Sequence, residues 1–195
     1  MKKLLIGMFL SSSLLFASSS TTAFVGIFTG KSSDDYAITV NSQETKYSES
    51  DSFGMLRLGA NINDFSRVYY ETYSFRSEDG VDIVSLQSLN FDVFFGGKKN
   101  FLKPILGMSI LQKKYASTTN SQNVEVKTNN LSFRAGLQAN ITDNLELEIG
   151  AMQSFFDTDQ KTNASNASSE DPDTFWYYFG LTIKFQPSAD FISVR

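Results

Sequence analysis

Arg57, Arg67, Glu71, Asp92, Lys103, Lys113, Arg134, Glu146, Glu148 and Lys184 stand inside stretches whose residues alternate between two faces. Each falls on the parity that its stretch shares with polar residues or glycine, so in extended chain these side chains leave on one side. Opposite charges gathered on one face offer two kinds of chemistry. Desolvated and hydrogen-bonded to one another, they fill and brace a tight interior. Hydrated, they gate a narrow water path. A three-residue turn at Asn63 to Phe65 pairs position 62 with 66 and sets Arg57 directly opposite Glu71. Filling is the favoured reading, because a small closed sheet has room for side chains and little open bore.

Other reactive groups are few. The 195 residues include no cysteine and no histidine. Disulfides, thiolate metal sites, thiol nucleophiles and lipid attachment at an N-terminal cysteine are thereby excluded. The commonest general base and metal ligand is missing too. Serines concentrate in the N-terminal stretch and in polar linkers, and no motif singles one out for activation. Asp157-Thr-Asp159, Asp171-Pro-Asp173 and Glu78-Asp79-Gly80-Val81-Asp82 space their acids closely but lack the closing glutamate of an EF-hand. They read as solvated acid. Lys98 and Lys99 are too few for nucleic acid in a chain of net charge −4. No catalytic residue, cofactor or metal ligand is expected.

Residues 1–23 are expected to be a cleaved secretory signal. Lys2 and Lys3 open it, and Leu4 to Ala17 form an apolar stretch broken by Ser11 to Ser13. Ala17-Ser18-Ser19 and Thr21-Thr22-Ala23 both place small residues where a signal peptidase needs them. The apolar part is too short and interrupted for a membrane anchor. Its removal takes away two lysines and no acid, moving the net charge from −4 to −6. No later stretch approaches the roughly 18 apolar residues of a spanning helix, so any further membrane crossing must use strands.

From Phe24 onward the period is two. Leu131 to Ile141 alternates Leu, Phe, Ala, Leu, Ala, Ile with Ser, Arg, Gly, Gln, Asn, a ribbon with one apolar and one polar side. Met55 to Ile62, Leu145 to Ala151 and Phe175 to Phe185 repeat the pattern, and weaker segments occupy 24–30, 67–75, 83–95 and 102–113. These segments predict eight strands. Polar loops at 31–52, 76–82, 114–127 and 156–173 alternate with tight turns at Asn63 to Ser66, Gly96 to Phe101 and Thr142 to Asn144. The loops hold 14 of the 21 acids against 6 basic residues, so one end of the meander is strongly acidic. A hydrophobic content of 41% looks ordinary because an average cannot register alternation.

Eight such strands suit two barrels: a soluble one with its apolar face inside, or a membrane one with that face against lipid. Three features favour the second. Gly59, Gly107, Gly136, Gly150 and Gly180 all share the polar parity, as a narrow interior requires. Aromatics gather at segment ends, with Phe175, Trp176 and Tyr177 at the loop end. Phe94, Phe95, Phe101, Tyr69, Tyr70 and Phe185 lie near the turn end, so that the two sets form belts. Arg57, Arg67 and Arg134 avoid the apolar parity, where lipid would cost each roughly 2–4 kcal/mol.

The last strand, Tyr177-x-Phe179-x-Leu181-x-Ile183-x-Phe185, resembles the C-terminal assembly signal of outer-membrane proteins. A ten-residue extension, Gln186 to Arg195, follows where that family often stops. Lys103-Pro-Ile-Leu-Gly-Met-Ser109 looks like the Lys-Pro-Tyr-x-Gly-x-Gly entry to a middle strand of the same superfamily. Over residues 24–185 the chain therefore resembles the small outer-membrane barrels of the OmpA, OmpX and opacity-protein (porin-like) type. That resemblance implies an all-β, eight-stranded antiparallel up-and-down transmembrane β-barrel in a Gram-negative outer membrane. It also implies lipid and lipopolysaccharide as surroundings, and the barrel-assembly machinery and periplasmic chaperones as partners in biogenesis. An unidentified surface ligand of the loops is left open. Hydrolytic barrels of this kind typically use histidine, so a non-enzymatic structural or surface protein is expected. The alternative from another class is a soluble periplasmic lipocalin-like carrier of an apolar ligand.

Overall fold

The computed structural model describes residues 21–40, 43–76, 81–97, 100–119, 122–157, 161–162, 167–170 and 174–185. Most of the expected signal and the whole C-terminal extension lie outside the described residues, as do Gly80, Lys98, Lys99 and parts of the acidic loops.

The chain forms β1 (Thr22–Val40), β2 (Gln43–Glu49), β3 (Ser52–Asn63), β4 (Ser66–Arg76), β5 (Val81–Phe94) and β6 (Leu102–Thr119). It continues with β7 (Gln122–Asn140), β8 (Leu145–Asp157), β9 (Lys161–Thr162), β10 (Ala167–Glu170) and β11 (Thr174–Phe185). Eight of these, β1, β3 to β8 and β11, pair with their chain neighbours in antiparallel order. Pairing of β1 with both β3 and β11 closes the sheet, Ile27 lying opposite Leu56 on one side and Leu181 on the other. The result is an eight-stranded up-and-down barrel. No helix of the described residues is long and apolar enough to cross a membrane.

Alternation fixes the two faces. Leu58, Leu106, Leu137, Ile149, Phe179, Leu181 and Ile183 are between 42% and 60% exposed on the outside. Their chain neighbours Arg57, Gln138, Glu148 and Thr182 are buried inside. The apolar face therefore points outward. Glycine makes the narrow interior possible: a Cβ on Gly180 would overlap the Phe28 ring, and one on Gly107 would fall on the Asp92 carboxylate.

The ends differ from the expectation in three ways. β1 begins at Thr22, within the stretch expected to be removed with the signal. Segments 31–52 and 114–127 are not open loops. β1 runs on to pair with β2 through Val40 opposite Gln43, and β6 and β7 stay paired out to Thr119 opposite Gln122. β9 and β10 lie in 156–173 and pair with the upper parts of β7 and β1. Backbone pairing needs no apolar face, so the apolar alternation that marks the barrel wall is silent there. The turn after β3 holds two residues, Asp64 and Phe65, with Asn63 opposite Ser66. A bulge at Ile62 supplies the missing residue, which leaves Arg57 opposite Glu71 as the longer turn would have done.

Candidate functional site: the barrel interior

Three arginines and three carboxylates meet in the middle of the barrel. Arg57 on β3 gives Nε to Glu71 Oε1 at 2.8 Å and Nη1 to Glu148 Oε2 at 2.8 Å. Arg67 on β4 places Nε and Nη2 on Asp92 Oδ2 at 2.8 and 2.6 Å, and Nη2 also reaches Glu148 Oε2 at 2.7 Å. Arg134 on β7 grips Glu71 with both terminal nitrogens, at 3.1 and 2.8 Å. Charge on these six groups sums to zero, which removes the large penalty of burying an unpaired ion. Forked guanidinium–carboxylate contacts also fix the relative positions of strands far apart in the sheet.

Three tyrosines and a serine extend the network. Tyr73 and Ser88 donate to Glu71 Oε2 at 2.7 and 3.0 Å, Tyr69 donates to Asp92, and Tyr178 donates to Glu148 Oε1 at 3.0 Å. Arg134 Nη1 also donates to the Tyr69 hydroxyl. The Arg57 guanidinium lies 3.9 Å from the centroid of the Phe28 ring, which brings β1 into the cluster. Gly107 gives β6 its place by leaving room for Asp92.

Two further tiers lie above and below. Toward the turn end, Lys184 pairs with Glu146 at 2.9 Å, and Gln138 donates to the same Glu146 oxygen at 2.8 Å. Lys103 stands near the Phe94 ring there. Toward the loop end, Phe53, Tyr73, Phe75 and Trp176 pack together, mostly tilted or edge-on, with centroid separations of 5.3 to 6.3 Å. Phe28, Met55, Leu86, Leu111, Met152 and Tyr178 join the same apolar cluster. Lys113 donates to Thr174 at 3.1 Å beside it. The charged tier thus lies beneath an aromatic lid.

All ten charged residues singled out from sequence point inward. Arg57, Arg67, Glu71, Asp92, Arg134 and Glu148 form one cluster, Glu146 and Lys184 a second, and Lys103 and Lys113 lie inside near either end. Trp176, Tyr69 and Phe94, expected in the outer belts, are buried inside at 1%, 1% and 5% exposure. Strand parity decides against the end-position rule here. Trp176 lies an even number of residues from Gly180, and Tyr69 from Arg67, so both must face the lumen. The same rule would have found Tyr73 and Tyr178, which the sequence reading passed over. Phe175, Tyr177, Phe95, Phe101, Tyr70 and Phe185 do face outward. The terminal residues Tyr177, Phe179, Leu181, Ile183 and Phe185 are all exposed on the outer face of β11.

The barrel superimposes on the N-terminal β-barrel domain of OprF from Pseudomonas aeruginosa with a TM-score of 0.56 and 11% identity. That match covers 83% of this chain and 97% of the other. The chain has the fold of the small outer-membrane barrels. Neisserial surface protein A is similar as well, with a TM-score of 0.52, 17% identity, and coverage of 86% and 98%. No family model and no curated protein matches the chain. At these identities the outer-membrane barrels share its architecture, and the interior must be read from its own residues.

Proposed function

We propose that the protein is a non-enzymatic outer-membrane barrel with a structural or surface role. Its signal at 1–23 directs export, and the outward face of β11 formed by Tyr177, Phe179, Leu181, Ile183 and Phe185 serves as the assembly signal for the barrel-assembly machinery. The acidic loop end contributes to envelope integrity, adhesion or host contact, among lipid and lipopolysaccharide. The observation that carries this reading is the distribution of residues across the wall: an aliphatic and aromatic outer face, and a buried network of paired charges at the middle of the lumen. Water would reverse that arrangement, and hydrocarbon stabilises it. A carrier of an apolar ligand needs an apolar-lined cavity, whereas the middle of this lumen holds three arginines and three carboxylates.

Fractionation of cells expressing the full chain tests the proposal. The expected result is recovery in the outer-membrane pellet, release only by detergent, and a heat-modifiable band on unboiled gels. Protease added to intact cells should trim within 31–52 and 156–173. Recovery in the soluble periplasmic fraction without detergent would overturn the proposal in favour of the carrier.

A further inference from the structure

The outward apolar belt is not of even height. β11 presents Phe175, Tyr177, Phe179, Leu181, Ile183 and Phe185 without a break, and β7 presents Leu131, Phe133, Ala135, Leu137 and Ala139. Neighbouring β1 presents Val25 and Ile27, then Thr29, Lys31 and Ser33. β3 follows Leu58 and Leu56 with Gly54 and Ser52, and β4 follows Val68 and Tyr70 with Thr72 and Ser74. Thr29, Lys31, Ser52, Gly54, Thr72 and Ser74 are exposed. They form one continuous surface, since Thr29 lies opposite Gly54 and Gly54 opposite Ser74.

Strand tilt does not explain the difference. At a tilt of roughly 40°, paired residues rise about 3 Å per strand, while successive outward residues on one strand rise about 5 Å. Counting from Phe179, pairing runs upward through Thr29 and Gly54 to Ser74, and downward through Ile149 to Leu137. Thr72 on β4 and Phe133 on β7 both come out about 4 Å above Phe179 by this geometry. At one height, therefore, one wall offers an aromatic ring and the other a hydroxyl.

We propose that the polar headgroup layer of the loop-side leaflet descends against the β1–β3–β4 wall, so that the bilayer is locally thinned there. Hydrocarbon held at the height of Thr72 would meet hydroxyls, bare backbone and, just above, the Lys31 ammonium. Thr29 already donates to the Phe53 carbonyl at 2.9 Å, and the Gly54 backbone is paired on both sides. Headgroups therefore serve the Thr72 and Ser74 hydroxyls with hydrogen bonds and the ammonium with phosphate. A lowered leaflet costs only a fraction of a kcal/mol per Å of mismatch. This inference rests on the membrane reading above.

A chain without cysteine permits the test directly. Single variants Thr72→Cys, Phe133→Cys, Leu137→Cys and Ser33→Cys are refolded into vesicles of phosphatidylethanolamine and phosphatidylglycerol. Folding is checked by the heat-modifiable band, and a membrane-impermeant maleimide is added to both sides. The expected result is labelling of Thr72→Cys to the extent of Ser33→Cys, with Phe133→Cys and Leu137→Cys protected. Protection of Thr72→Cys alongside Phe133→Cys would overturn the thinning and leave the membrane barrel standing, whether lipid or a second copy covers the wall. Labelling of Leu137→Cys would instead overturn the membrane reading on which the inference rests.

Discussion

Arg57 and Glu71 face one another across the β3–β4 pair at 2.8 Å, and neither side chain is exposed. Arg57 also reaches over the lumen to Glu148 at 2.8 Å, so one side chain links a neighbouring strand to a remote one. Removing it leaves two buried carboxylates with fewer counter-charges. Arg57→Ala is expected to lower stability by about 3–5 kcal/mol, the usual cost of stripping one partner from a buried pair. Urea unfolding of the vesicle-embedded protein, followed by the heat-modifiable band, gives the measurement. A loss below about 1 kcal/mol, as for an exposed pair, would mean that water reaches the network.

The same burial bears on conduction. Arg57, Glu71 and Asp92 have no exposed surface, and Phe53, Tyr73 and Trp176 are packed above them. Ions need a hydrated path, which a tier of mutually paired side chains in a narrow barrel does not provide. The purified protein in planar bilayers should therefore show no stable openings. Stable openings that vanish in Arg57→Ala would assign the network to a gate instead of a brace.

Glycine substitutions separate the two faces of the wall. An added Cβ at Gly107 would fall on the Asp92 carboxylate and displace it from Arg67, whereas at Gly54 it would meet nothing within 4 Å. Gly107→Ala should destabilise by about 1–3 kcal/mol through overpacking. Gly54→Ala should be neutral or stabilising by up to about 1 kcal/mol, because it narrows the unfolded ensemble without a clash. Equal effects in urea unfolding would show that the interior yields more than its packing implies.

Much of this is legible in the sequence. The parity of Gly107, Gly136, Gly150 and Gly180 marks the crowded face, and the structure shows what crowds it: Asp92 against Gly107, Tyr178 against Gly150 and Phe28 against Gly180. The Arg57–Glu71 register was readable because two deviations cancel, the shorter turn and the bulge at Ile62. Glu148 as the second partner of Arg57 was not readable, since β3 and β8 are not neighbours in the sheet. Contacts across a lumen depend on strand stagger and side-chain reach, which residue alternation does not encode. Trp176 faces inward for a different reason: the pleat fixes which face each residue takes, and that constraint is stricter than position at the end of a strand.

Charge placed on the outer wall decides what surrounds the barrel. Leu106 and Gln112 lie on the same face of β6, separated by Met108 and Ile110, and Leu106 is 53% exposed. If hydrocarbon covers the first and headgroups the second, an arginine costs differently at each. Leu106→Arg should lose roughly 2–4 kcal/mol, and Gln112→Arg about 0–1 kcal/mol, following the depth dependence of lipid-facing charge. In a water-soluble barrel both positions are simply surface, where such substitutions stay within about 0.5 kcal/mol. Urea unfolding of both variants in vesicles measures the difference. A gap of at least about 1 kcal/mol between them is the signature of lipid against this wall, and equal small losses would remove it.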